Sequence, residues 1–177
     1  MEAIATLIDP YLNSPSVNLW VELEKSCRSM GIQIAPQPHF SWQGALEYDL
    51  DEVEIRLKNL AKHQTPFKVR SSGLGIFTGD APVLYLPLVK DRKLLQLHQQ
   101  IWEELSSYSR EKSKYYSPDQ WMPHITLVYQ GLTVDSLLCA VKNLTSLPMQ
   151  FEFDVNNLVL LYTVDDMAGI RFQFSFE

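Results

Sequence analysis

Long apolar runs are missing from this chain. Its 177 residues are 46% hydrophobic and 20% charged, yet no stretch approaches the roughly eighteen apolar residues of a membrane-spanning helix. The segment Met1 to Pro10 carries acids at Glu2 and Asp9 and lacks the basic start and small-residue cleavage site of a secretory leader, so a cytoplasmic protein with no membrane partner is expected. Cysteine is scarce too. Cys27 and Cys139 each fall on an apolar helical stripe, and two reduced, buried thiols are expected rather than a disulfide or a metal site. Asn143-Leu144-Thr145 matches a glycosylation acceptor, but without secretion the match is chance. Positive charge is in deficit: 15 basic residues against 21 acidic ones give a net charge of -6. That balance excludes a long nucleic-acid track, so a nucleotide ligand would be small or contacted locally.

What is present reads as alternating helices and strands. The length suits one folded unit, either a single domain or two small lobes sharing an interface. Ala3 to Ile8 is apolar and extended; Ser14-Pro15 suits a helix start, and Trp20, Leu23, Cys27 and Met30 follow at helical spacing before Gly31. A strand is predicted from His39, then a helix striped by Leu50, Val53, Leu57 and Leu60, then strands Phe67 to Thr78 and Val83 to Val89. The order then recurs. A helix capped by Asp91 carries Leu94, Leu97, Ile101 and Leu105; a polar loop from Ser106 to Gln120 leads to a strand at His124; and a helix capped by Thr133 follows. Three strands close the chain, with Ile170, Phe172, Phe174 and Phe176 on one face of the last.

The repetition amounts to an internal duplication with approximate halves 1–80 and 81–177. Pro38-His39-Phe40-Ser41-Trp42-Gln43-Gly44 matches Pro123-His124-Ile125-Thr126-Leu127-Val128-Tyr129-Gln130-Gly131, which carries two further residues before Gln-Gly. Alternation along a strand puts His39 on one face with Ser41 and Gln43, and His124 with Thr126 and Val128. Two imidazoles converging on one cleft could serve in-line cleavage of a phosphodiester, one taking a proton from the attacking oxygen and the other protonating the leaving oxygen. An unperturbed pKa near ~6.5 suits both tasks. Ser41 and Thr126 could donate to the non-bridging oxygens. That chemistry needs neither a metal nor a cofactor. Pseudo-symmetry leaves open which histidine is base and which is acid.

These tetrapeptides, His39-Phe40-Ser41-Trp42 and His124-Ile125-Thr126-Leu127, resemble the paired His-x-Thr or His-x-Ser signature of the two-histidine phosphoesterases, which include bacterial RNA 2′,3′-cyclic phosphodiesterases historically called 2′-5′ RNA ligases. Ser41 stands for the commoner Thr and Trp42 for a smaller apolar residue. The resemblance implies an α+β protein of two pseudo-twofold-related lobes, each an antiparallel-rich β-sheet with helices on its outer face and a cleft between the sheets. It also implies hydrolysis of 2′,3′-cyclic or related phosphodiesters of nucleotides or RNA ends. The rival readings are 2′-5′ ligation, cleavage of 2′-5′ linkages, and a nucleotide-binding module without turnover. Further candidates for substrate contact are Arg171 and Gln173, on the polar face of the last strand, and Lys112, Lys114, Tyr115 and Tyr116 in the loop before His124, where a base could stack and a phosphate be steered. His63 and His98, on helices, and the strand tyrosines Tyr85 and Tyr162 read as ordinary structural residues.

Overall fold

The computed structural model describes residues 1–8, 17–35, 37–164 and 167–177; the Ser14-Pro15 helix start and Pro36 lie outside them. In chain order the elements are β1 (Glu2–Leu7), α1 (Val17–Cys27), β2 (Gln33–Ile34), β3 (His39–Ala45), β4 (Glu47–Tyr48), α2 (Leu50–Lys62), β5 (Phe67–Arg70), β6 (Gly75–Phe77), β7 (Val83–Pro87), α3 (Arg92–Leu105), β8 (Ser109–Arg110), β9 (His124–Gln130), α4 (Val134–Leu144), β10 (Glu152–Val155), β11 (Asn157–Val164) and β12 (Met167–Ser175). Helix starts follow local chemistry. Asp49, Asp91 and Thr133 each accept a hydrogen bond from the backbone N–H three residues on, and Ser136 returns the contact to Thr133 in a capping box. After α1 a short 3-10 turn, Arg28–Met30, ends at Gly31, whose φ of 84° is the left-handed conformation that glycine adopts without steric cost.

Two four-stranded antiparallel sheets carry the fold, ordered β12-β11-β1-β3 and β2-β9-β7-β6. The first sheet packs on α2 and α3, and α1 lies on α4 and β2. The lobes do not follow the expected halves. The last strand of the first repeat, β6, adds to β7, while its counterpart β11 adds to β1; the strands before them, β5 and β10, pair with each other, Phe67 opposite Val155 and Arg70 opposite Glu152. The exchange is reciprocal, so each sheet closes only with a strand from the other half. It also splits the expected strand Phe67–Thr78 into β5 and β6, in different sheets.

Among the described residues four register shifts occur; one leaves Tyr129 extra on β9 against β2, and the other three refine the faces. Opposite Ile4 and Ala5 stand Gln43 and Ser41, which leaves Trp42 as an extra residue; opposite Leu84 and Tyr85 stand Val128 and Thr126, which leaves Leu127 extra; opposite Leu160 and Leu161 stand Phe172 and Ile170, which leaves Arg171 extra. Gln43 therefore does not share the face of His39 and Ser41 as strict alternation predicts. It is fully buried, donating from Nε2 to Ser106 Oγ (3.3 Å) and accepting from the Tyr48 hydroxyl (3.1 Å). Val128 is likewise fully buried. Ile170 is separated from the face of the phenylalanines for the same reason.

A further correction concerns the cysteines. Cys27, the last residue of α1, and Cys139 in α4 form a disulfide, with Cα atoms 6.0 Å apart. Helical stripes show that each thiol faces inward, but not that these two helices, one from each half, lie side by side at the same level. Reduced thiols thus give no support to a cytoplasmic location. Among the described residues no helix is long and apolar enough to cross a membrane. Asn143, one turn beyond Cys139, donates from Nδ2 to the Cys139 carbonyl (2.8 Å), so the acceptor sequence sits in a helix with its amide engaged.

The bridge spans a sequence separation of 112. Chain-entropy arguments give a loop of that size about 4 to 5 kcal/mol of stabilisation. Reduction, or the double change Cys27→Ala and Cys139→Ala, should lower the urea midpoint markedly, and the native protein should show no titratable thiol. An unchanged midpoint would mean that packing alone holds α1 to α4.

Candidate active site

Each histidine opens its strand in the same local frame. Gln37-Pro38-His39 and Met122-Pro123-His124 place a proline between the imidazole and the carbonyl two residues before it. Proline fixes its own φ and confines the preceding residue to extended backbone. That carbonyl meets the ring: His39 Nδ1 lies 2.9 Å from Gln37 O, and His124 Nδ1 lies 2.7 Å from Met122 O. A carbonyl only accepts, so Nδ1 carries the proton in both rings and Nε2 is the nitrogen left for chemistry. The prolines are themselves fixed in matching ways, Pro38 O accepting from Ile8 N–H and Pro123 O from Leu88 N–H, both at 2.9 Å.

Beyond each histidine the alternation holds as far as the bulge. His39, Ser41, His124 and Thr126 are half-buried, whereas Phe40, Trp42, Ile125 and Leu127 are fully buried. Trp42 donates from Nε1 to Thr6 Oγ1 (2.9 Å), which donates to Asn157 O (2.8 Å), so the bulged residue of the first motif anchors β3 to β1 and β11. Strands β3 and β9 are in contact across the two sheets. The indole of Trp121, just before the second motif, donates to Ser41 O (2.9 Å).

The electrostatics follow from burial. Desolvation pushes both catalytic-strand imidazoles below the usual histidine value of 6.5 against the opposing pull of their carbonyl partners, and the charge of His39 lowers His124 further. The two rings are thus close enough to sense each other's charge. Burial thus favours the neutral form of both rings.

Tyr116 is the one residue of the preceding loop that reaches this centre. Its hydroxyl lies beside Ser41, and burial keeps the phenol above its usual pKa and so protonated. A Cβ at Gly44 would come within 2.8 Å of the Tyr116 ring, so glycine there lets the ring lie flat on β3. His98, read from the sequence as ordinary, is a support for this corner. It is almost fully buried, stacks on Trp121 with ring centroids 3.8 Å apart, and donates from Nε2 to Tyr116 O (3.0 Å). Burial pushes its pKa down to about 4, so it stays neutral and structural.

The other candidates lie elsewhere. Lys112 donates to Ser106 O (3.1 Å) and lies over Trp102, while Lys114 and the exposed Tyr115 contact each other. Arg171, the bulge residue of β12, donates from Nε to Glu2 Oε1 (2.8 Å) and lies over Tyr162. Glu2 stands opposite Ala45, at the end of β3 away from His39, roughly 20 Å along the strand at about 3.4 Å per residue. Gln173 falls in one cross-strand row with Val159, Ala5 and Ser41, three strand spacings or roughly 14 Å from Ser41.

Two residues absent from the sequence-based candidates border the second motif. Tyr85 stands directly opposite Thr126, and Phe77 stacks on Tyr85 with centroids 4.1 Å apart; His124 meets both edge-on, at 4.9 Å from Phe77 and 5.0 Å from Tyr85. A Cβ at Gly75 would come within 2.4 Å of the Tyr85 ring. A glycine in an apolar strand is the available signal.

If the carbonyl bonds and mutual charge set these rings, both His39 and His124 should titrate below 6.5 when their Cε1–H resonances are followed by NMR. His39→Asn should then raise the His124 value, because the neighbouring charge is gone. A His124 titration unmoved by that change would show that the rings do not interact.

Comparison with known proteins agrees with this geometry. Residues 18–166 match the model of the 2′-5′ RNA ligase superfamily. Similar solved structures include TT0787 of Thermus thermophilus (18% identity, 99% of this chain and 97% of that one, TM-score 0.64), Usb1 of Kluyveromyces marxianus (12%, 96% of each chain, 0.60) and E. coli LigT complexed with ATP (13%, 99% and 97%, 0.57). At these identities the structural matches establish the fold alone. The chain has no significant sequence match among curated proteins.

Proposed function

Because the chain belongs to the 2′-5′ RNA ligase superfamily, whose members are phosphoesterases and ligases, we propose that it is a metal-independent phosphodiesterase. It would hydrolyse 2′,3′-cyclic or related phosphodiesters of nucleotides or RNA ends, with His39 and His124 as its acid and base. The observation that carries this reading is the matched pair of imidazoles, each with Nδ1 committed to a carbonyl and Nε2 free. In-line displacement at phosphorus needs a proton removed on one side and delivered on the other, and two Nε2 atoms on facing strands supply both. The hydroxyls of Ser41 and Thr126 donate to the non-bridging oxygens, with the protonated Tyr116 beside Ser41. E. coli LigT has been crystallised with ATP and with NADP+, which fits a nucleotide as the ligand of this architecture.

The charge distribution keeps recognition local. With a net charge of -6, few phosphates can be neutralised, and the slope of log K against log salt should be shallow, roughly -1 to -2 at about -0.7 per contacted phosphate. A slope near -5, or affinity that climbs with RNA length, would reveal an extended basic track.

The proton bookkeeping sets the pH dependence. Turnover needs one imidazole neutral and the other protonated. Both free-enzyme values lie below 6.5, so the singly protonated pair is lost as pH rises through and above that range. kcat/KM should therefore be bell-shaped with its maximum on the acid side of pH 6.5. His39→Ala and His124→Ala should each lower kcat on adenosine 2′,3′-cyclic phosphate by about 10² to 10⁴, the double variant being little worse than either single one because the pair acts as a unit. Activity within tenfold of wild type in either single variant would exclude an acid/base role.

A further inference from the structure

The two histidine strands belong to different sheets, and one side chain outside both motifs spans them. Trp121 stands three residues before His124 and is almost fully buried. Its indole donates to the carbonyl of Ser41 on β3 (2.9 Å). Its main chain runs on to Met122, whose carbonyl meets Nδ1 of His124 at 2.7 Å. The backbone at the hydroxyl residue of the first motif and the carbonyl that sets the tautomer of the second are thus tied to a single residue. The place three before His39 is taken by Pro36, whose side chain has no donor to return, so the tie is made from the second motif to the first.

The indole has little freedom of its own. His98 of α3 stacks on it with centroids 3.8 Å apart and planes 1° apart, and Trp42 of β3 stacks on it at 5.5 Å and 23°. Those two rings are fixed in turn, His98 through Tyr116 O and Trp42 through Thr6 Oγ1. The Trp121 backbone N–H donates to Ser117 O (2.8 Å). With ring and main chain both held, the indole cannot swing to follow a moving acceptor. A buried indole N–H needs a partner, so movement of β3 away from β9 at this point would leave a donor unsatisfied.

We propose that Trp121, held by His98 and Trp42, is a positioning residue: a brace that sets the separation of the two histidine rings by fixing β3 against β9 at Ser41. Its effect on turnover rests on the phosphodiesterase reading above; its effect on the rings does not. Trp121 acts through Ser41 and Met122, and it touches no substrate. A displacement of about 1 Å between reacting groups can cost on the order of 10² in rate, so loss of the brace falls on turnover and not on binding.

Two readouts on the full chain test this, both with Trp121→Phe, which keeps a ring in the stack and removes the N–H. The first needs no substrate. The rise of the His124 titration on His39→Asn, followed at Cε1–H by NMR, is compared in the wild-type and Trp121→Phe backgrounds. Charge coupling weakens with distance, so the rise should shrink by roughly half or more without the brace. Equal rises in the two backgrounds, both zero included, would overturn it. The second readout is steady-state kinetics on adenosine 2′,3′-cyclic phosphate, where kcat should fall roughly tenfold to 100-fold while KM stays within about threefold. A raised KM at unchanged kcat would make Trp121 a binding residue and also overturn the brace. Should Trp121→Phe fail to fold, both readouts are taken with the Trp121 indole replaced by its benzothiophene isostere, which keeps both rings and lacks only the N–H. An inactive wild type would overturn the phosphodiesterase reading alone, with the ring coupling still deciding for or against the brace.

Discussion

One extra residue in each histidine strand governs how this molecule divides core from cleft. Without a bulge, the residue four places after each histidine would join it on the cleft face, and a glutamine and a valine would stand beside the hydroxyls. With Trp42 and Leu127 inserted against β1 and β7, the strand turns over immediately after the histidine and its hydroxyl neighbour. Gln43 and Val128 pass into the interior, and only His-x-Ser and His-x-Thr remain at the cleft. The bulged residue has to be apolar because it shares the buried side with the residue two places before it, Phe40 or Ile125, which gives a physical reason for the fourth position of each tetrapeptide. Trp42 also spends its indole N–H on Thr6, so it is both the irregularity and its anchor.

The reciprocal strand exchange works with these bulges. A duplicated half closing on itself would leave two small sheets with no fixed relation, and at this length each would bury little surface. Sending β6 to β7 and β11 to β1, with β5 and β10 paired at the crossing, makes each sheet depend on the other half. The disulfide between α1 and α4 adds a covalent tie between the same halves. Two imidazoles on separate sheets can hold a common geometry only if the sheets cannot drift apart. The exchange supplies that constraint without placing any bulky connection in the cleft.

Much of this is legible in the chain because it is periodic. The α3 stripe, the Asp91 and Thr133 caps, and the repeated Pro-His-x-Ser/Thr all depend on residues close in sequence, and all appear where the pattern places them, whereas Met30 of the first stripe lies past the end of α1 and is exposed. Strand faces near bulges are not legible, since a bulge is a mismatch between two strands and neither strand announces it alone. For that reason alternation puts Gln43 with His39, and Arg171 with Gln173, although Arg171 is turned to Glu2 and Tyr162. Pairing between distant elements is hidden for the same reason. The stripes of α1 and α4 show two inward thiols but not their contact, and the meeting of Phe77 with His124 depends on β6 leaving its own half.

Symmetry in sequence also conceals asymmetry in chemistry. Burial is the main cause that lowers both imidazoles, and two neutral histidines cannot perform a reaction that consumes one proton on one side and returns it on the other. Something must decide which ring becomes protonated when substrate arrives. A phosphate entering between the rings is an anion and raises whichever imidazole it approaches more closely. The free enzyme already distinguishes them: His124 sits edge-on to two aromatic rings, whereas the strand beside Ser41 presents an alanine. A site built from two matching motifs is thus unequal in its surroundings.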